Sequence, residues 1–123
     1  MMPQPNDFVP KWILGVLNNL FEIEKKIGVS SEQSNLKRNV ERMKELFADQ
    51  NIFFENPMGE KFSETRTDLE ATITGTGTND LRVTDVIKPI IRVGSKALSR
   101  VVQKGIVVVE STQNKSETGE SNV

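Results

Sequence analysis

Two stretches of helical period open the chain, and shorter stretches of strand period follow. From Pro10 onward apolar residues fall at Ile13, Val16, Leu17, Leu20, Ile23 and Ile27, the three- and four-residue steps of one helix face. Pro10 suits a first helical turn, where a missing N–H costs nothing, and Gly28 suits a C-terminal cap. Ser30-Ser31-Glu32-Gln33 then reads as a capping box, Ser30 capping and Gln33 reaching back. A second apolar stripe follows at Leu36, Val40, Met43 and Phe47, with Lys37, Arg38, Glu41, Lys44 and Glu45 on the opposite face. The short link at Gly28-Val29 predicts an antiparallel helical hairpin over residues 10–50.

Near Gln50 the period shortens. Ile52-Phe53-Phe54 reads as a short strand and Asn56-Pro57-Met58-Gly59 as a turn. Leu69, Ala71 and Ile73 alternate with Glu70, Thr72 and Thr74, the mark of a half-buried strand. Thr74 to Asp80 is a polar, glycine-bearing turn. Val83 to Val93 is strand-like, and Pro89 within it argues for an edge or a bulge. Gly94-Ser95 turns the chain; Arg100 to Gln103 and Ile106 to Glu110 give the last strands. The expected fold class is therefore α+β. A flexible leader (1–9) precedes the hairpin (10–50), a small, mainly antiparallel β domain follows (51–110), and a disordered tail closes the chain (111–123).

Composition narrows the function. The 123 residues carry a formal net charge of −1, so no basic excess is present to neutralise phosphates, and no nucleic-acid partner is expected. No apolar run approaches a membrane span, and no membrane partner is expected. Cysteine is absent, which fits a reducing cytoplasm, the expected location. Histidine and tyrosine are absent as well, which removes much of the usual acid–base and nucleophilic repertoire. No catalytic residue, metal or cofactor is assigned.

Two features invite chemistry and receive structural readings. Gly75-Thr76-Gly77-Thr78 has glycines, but it lacks the lysine and following helix of a phosphate-binding loop, so it reads as a turn between strands. Glu60, Glu64, Asp68 and Glu70 form a loose acidic cluster without metal-ligand spacing and read as solvated charge. Trp12, at the start of the first helix, reads as core or subunit interface. Two short helices cannot bury both stripes against one another. A second copy completing a four-helix bundle is expected, through Ile13, Val16, Leu17, Leu20, Leu36, Val40, Met43 and Phe47.

A helical hairpin, then Gly59-Glu60-Lys61-Phe62, then Glu70-Ala71, then GSKALSRVVQKGIVVV from Gly94 resembles the GrpE family over roughly residues 10–110. That family ends near G-Y-K-L-x-x-R-V-x-R-P-A-x-V-x-V, and Gly94, Lys96, Arg100, Val101, Val107 and Val109 match it without a gap. Ser95, Ala97 and Gln103-Lys104-Gly105 depart from the pattern, Leu69 takes the place of a histidine, and the family's long N-terminal helix is missing. The resemblance implies a GrpE-like fold and a homodimer whose β domains project as wings. It also implies a co-chaperone role in protein folding and the stress response: nucleotide exchange, by docking on the ATPase domain of a DnaK-type chaperone and promoting ADP release. By position it implies partner contacts at Arg100, Ile91, Val109 and Lys96.

Two alternatives stand beside this. One is a dimeric adaptor that keeps the fold without exchange activity, motivated by the altered Gln103-Lys104-Gly105 segment. The other is a small phosphate-binding enzyme using the Gly75 to Thr78 turn.

Overall fold

The computed structural model describes residues 9–27, 34–95 and 97–112. The chain is α+β, with helices α1 (Lys11–Ile27) and α2 (Ser34–Asp49) followed by strands β1 (Ile52–Glu55), β2 (Leu69–Thr74), β3 (Leu81–Lys88), β4 (Ile90–Gly94), β5 (Ser99–Gln103) and β6 (Gly105–Ser111). The strands form two small sheets, ordered β1-β4-β5 and β2-β6-β3. Gly28 and the capping box at Ser30 to Gln33 fall outside the described residues.

The chain divides into two compact units, and each is interrupted in sequence. The first comprises Met1–Glu55 and Ile91–Gln103, the second Asn56–Ile90 and Lys104–Val123. This differs from a split at residue 50: β1, β4 and β5 group with the helices. The physical reason is the apolar surface of the helices. In the first unit Leu20, Ile27 and Val40 form a buried cluster, and Phe47 and Phe54 pack on it. Leu17 and Phe21 are buried beside them, and the rings of Phe21 and Phe54 meet edge to face at 5.9 Å. A strand thus supplies part of the cover for the helical core. Each buried side chain of this size contributes about 1.5–3 kcal/mol.

Both helix ends are chemically sensible. Lys25 and Lys26 sit in the last turn of α1, where the helix dipole favours cations. After α2 the chain turns through Asn51 at φ 63°, with Gln50 N–H on Phe47 O and Asn51 N–H on Ala48 O, both at 2.9 Å. Asparagine tolerates this left-handed conformation better than most residues do.

The second unit is a mixed sheet. β2 runs parallel to β6 in unbroken register from Leu69↔Gly105 to Thr74↔Glu110, and β3 runs antiparallel to β6. With β4–β5 also antiparallel, the pairing is mainly antiparallel as expected, and the parallel β2–β6 pair is the exception. Leu69, Leu81, Val83, Val86, Ile90, Val107 and Val109 are buried. In β3 the buried positions step by two and then by three, from Leu81 to Val83 to Val86. A register shift between Val83 and Asp85 absorbs the extra residue and returns Val86 to the buried face. Gly105 is required to be small: a Cβ there would lie 2.9 Å from Leu69 Cδ2 and 3.0 Å from Ile90 Cγ1.

The stretch Val83 to Val93 is not one strand. Buried Pro89 lacks the N–H a ladder needs and ends β3, and β4 begins in the other sheet. The tail also starts later than expected. Ser111 is buried at the end of β6, and Thr112 N–H reaches Asp80 O at 3.2 Å. Among the described residues, no helix is long and apolar enough to cross a membrane.

Candidate partner-binding surface

The residues singled out by sequence fall into three groups. Leu17, Leu20 and Val40 are buried within a single chain, so they form its core and offer no face to a second copy. Ile13 and Phe47 are half-buried. Val16, Leu36 and Met43 are exposed at 43%, 49% and 41%. Exposed Trp12 and Ile23 extend the Val16 stripe, and exposed Leu46 extends that of Met43. On α1 the positions 12, 16 and 23 share one face, and on α2 the positions 36, 43 and 46 share another. Each helix thus has one wide apolar face that is packed over part of its width and bare along one margin. Periodicity finds apolar positions but does not say which part of the apolar face is covered; buried Phe21 and exposed Leu46 stand outside the stripes read from the sequence.

The positions matched to family contacts separate in the same way. Ile91 and Val109 are both 0% exposed, Ile91 in the first unit and Val109 in the second, and they serve the cores. Neither presents a contact surface, which corrects the expectation drawn from the resemblance. Lys96 lies outside the described residues. Arg100 is exposed on β5, an edge strand, opposite Val93 on β4.

The β4–β5 hairpin sets this arginine in place. Its register runs Ile91↔Gln103, Arg92↔Val101, Val93↔Arg100 and Gly94↔Ser99. Gly94 has φ 123°, and a Cβ there would lie 2.4 Å from Leu98 O, so only glycine fits the turn. Gly94 N–H also donates to Asn51 O at 2.8 Å, tying the hairpin to the end of α2. Leu98, two residues from Arg100, is 85% exposed, the most exposed of the large apolar side chains described. No sequence rule singled it out, because an isolated leucine in a turn carries no period. At the other end of the hairpin Gln103 bonds to Asn18 of α1, and Arg92 Nε donates to Glu55 Oε1 at 2.7 Å.

Several charged groups are held in ion pairs. Arg66 forks onto Asp68 at 3.0 and 2.9 Å, and its Nη1 also reaches Glu60 Oε1 and Lys61 O, both at 3.1 Å. The hydrogen bonds that Arg66 donates to Asp68, joined by that to Glu60, raise the Arg66 pKa above its ordinary value despite partial burial. Two members of the acidic cluster are therefore counter-ions to one arginine. On α2, burial works against the Lys44 ammonium. Its hydrogen bond to Glu24 at 2.8 Å and the charges of Glu24 and Glu41 outweigh that cost and raise its pKa. The Gly75 to Thr78 segment is a turn between β2 and β3, and a strand rather than a helix follows it.

The exposed groups among the described residues include an edge-strand arginine, a leucine at a hairpin turn and a bare apolar margin on each helix. Compared with protein-family models, curated proteins and solved structures, the chain matches none of them.

Proposed function

We propose that this chain is a GrpE-like nucleotide exchange factor, a cytoplasmic, non-enzymatic protein that binds the ATPase domain of a DnaK-type chaperone and promotes ADP release. The β4–β5 hairpin carries the reading. Gly94, the first residue of the matched motif, is held at a positive φ that a side chain would obstruct, and the turn it makes leads to exposed Leu98 and exposed Arg100. The order of elements, two helices followed by short strands, also agrees with the resemblance.

The helices supply the second part of the proposal. α1 and α2 form a helical hairpin, and two copies pair into a four-helix bundle. The bare stripes Trp12, Val16, Ile23 and Leu36, Met43, Leu46 face the second copy, while Leu17, Leu20 and Val40 stay in each chain's own core.

The mechanism is linkage. A protein that binds the open nucleotide cleft more tightly than the closed one weakens ADP, and ADP weakens it by the same factor. Arg100 presents a guanidinium that forks onto a carboxylate or carbonyl of the chaperone, and Leu98 adds an apolar anchor beside it. The test is the rate of labelled-ADP release from a DnaK-type chaperone with this protein added. An accelerated rate supports exchange. An unchanged rate together with chaperone binding that ignores ADP replaces it with the adaptor reading. That second reading draws on Gln103: it stands where the family pattern has an arginine, and its side chain engages Asn18.

A further inference from the structure

The two edges of the β2-β6-β3 sheet are finished differently. The β3 edge is covered: Gly59 N–H donates to Val83 O at 3.0 Å, Val83 N–H to Glu60 O at 2.9 Å and Phe62 N–H to Leu81 O at 2.8 Å. Lys61 and Arg82 complete an isolated antiparallel bridge there. The β2 edge has no backbone partner among the described residues and no register shift along its length. It also lacks the devices that close an edge, such as proline, lysine or a bulge.

The direction of its backbone groups follows from one bond. Gly105 N–H donates to Asp68 O at 2.9 Å, so Asp68 turns its backbone toward β6. In a strand this direction alternates, so Glu70, Thr72 and Thr74 also pair with β6. Leu69, Ala71 and Ile73 therefore direct their N–H and C=O groups outward along the open edge. The side chains of these same three residues lie on the buried face, and their cover thins along the strand: Leu69 is 5% exposed, Ala71 half-buried and Ile73 44% exposed. On the other face Glu70 is exposed and has no ion-pair partner among the described residues.

We infer that the β2 edge takes up an extended segment of a partner protein as an added strand. The occupant's chemistry is set by the edge. Running antiparallel, the more stable pairing, it exchanges hydrogen bonds with Leu69, Ala71 and Ile73. β-Branched apolar residues opposite those three continue the buried face and cover Ile73. The residue opposite Glu70 sits at a non-hydrogen-bonded position, where side chains approach most closely, and is a lysine or arginine. The inference stands on the sheet edge alone and is independent of nucleotide exchange.

The experiment uses the full chain, isotope-labelled for NMR, and a capped synthetic heptapeptide. It carries valines to lie opposite Leu69, Ala71 and Ile73, a threonine opposite Thr72, a lysine opposite Glu70 and a threonine at each end. Binding should move the amide signals of Leu69, Ala71 and Ile73 first. N-methylation of the valine opposite Ala71 should abolish it. N-methylation of the lysine, whose N–H points away from β2, should leave affinity within about threefold. Glu70→Lys should weaken the lysine peptide by up to about fivefold and favour a glutamate version, the range of a cross-strand charge pair. Because both methylated peptides meet the unaltered protein, folding defects cannot confuse that comparison. Equal loss from the two methylations, shifts confined to other strands, or no shifts at millimolar peptide each overturn the inference.

Discussion

Asn18 on α1 and Gln103 on β5 exchange a reciprocal pair of hydrogen bonds. The Asn18 amide donates to Gln103 Oε1 at 3.1 Å, and the Gln103 amide donates to Asn18 Oδ1 at 2.9 Å. The partners are 85 residues apart and both part-buried. Losing either leaves the other amide short of a partner where water reaches it poorly.

Gln103→Ala and Asn18→Ala should therefore each destabilise the chain by about 1–3 kcal/mol. The double substitution should cost less than their sum, with a coupling of about 1–2 kcal/mol. Urea unfolding of all four proteins measures it; strictly additive losses mean the pair contributes nothing.

Leu17 and Val16 are neighbours with opposite surroundings, 0% and 43% exposed. Leu17→Ala should cost about 2–5 kcal/mol in stability by opening a cavity. Val16→Glu should instead act on self-association: sedimentation should give twice the chain mass for the parent and the chain mass for the variant. A parent that sediments at the chain mass removes the bundle from the proposal.

Gly94→Ala should destabilise the first unit, since positive φ alone costs a non-glycine residue about 1–3 kcal/mol and the new Cβ meets Leu98 O as well. Thermal unfolding gives the shift. A variant as stable as the parent means that the turn has another accessible conformation.

Arg100→Ala should slow chaperone ADP release by tenfold or more, about 1.4 kcal/mol per decade, with the circular-dichroism spectrum unchanged. Arg100→Lys should recover part of the loss, because an ammonium cannot fork. Leu98→Ala should show a smaller defect in the same assay. If Arg100→Ala stimulates release as well as the parent, this arginine is not the anchor.

Asp80 gives a prediction in pH. The Thr112 hydroxyl bonds to its carboxylate, and the charges of Arg82 and Lys61 act in the same direction, holding its pKa below the ordinary 3.8. A depressed folded-state pKa stabilises the fold above the unfolded value, and that contribution disappears as the pH falls through the folded value. The relevant window therefore lies below 3.8. NMR titration should show Asp80 titrating low in the parent and closer to its ordinary value in Thr112→Val. An unchanged titration would show that the hydroxyl is not the cause.

Local structure was largely legible in the sequence because each element carries its own period. Both helices, the turn at Asn56 to Gly59 and the strands at Ile52, Leu69, Arg100 and Ile106 follow from nearest-neighbour patterns. Pairing was not legible. That β2 runs parallel to β6, and that β4 leaves the sheet of β3 at Pro89, depends on residues far apart in the chain. The candidate surface was legible at Arg100 only through a motif. Leu98 carries no pattern, and Ile91 and Val109 show that a matched position need not be a surface position.

The interleaving of the two units has a consequence for biosynthesis. A ribosome delivers α1, α2 and β1 first, but their sheet has β4 at its centre, and β4 emerges only after β2 and β3. The second sheet waits in turn for its own central strand, β6, the last strand of the described chain. Throughout elongation the nascent polypeptide therefore holds flanking strands whose middle has yet to be translated. The first sheet can close only once β5 has been made and the second only once β6 has, so both are completed near the end of the described chain.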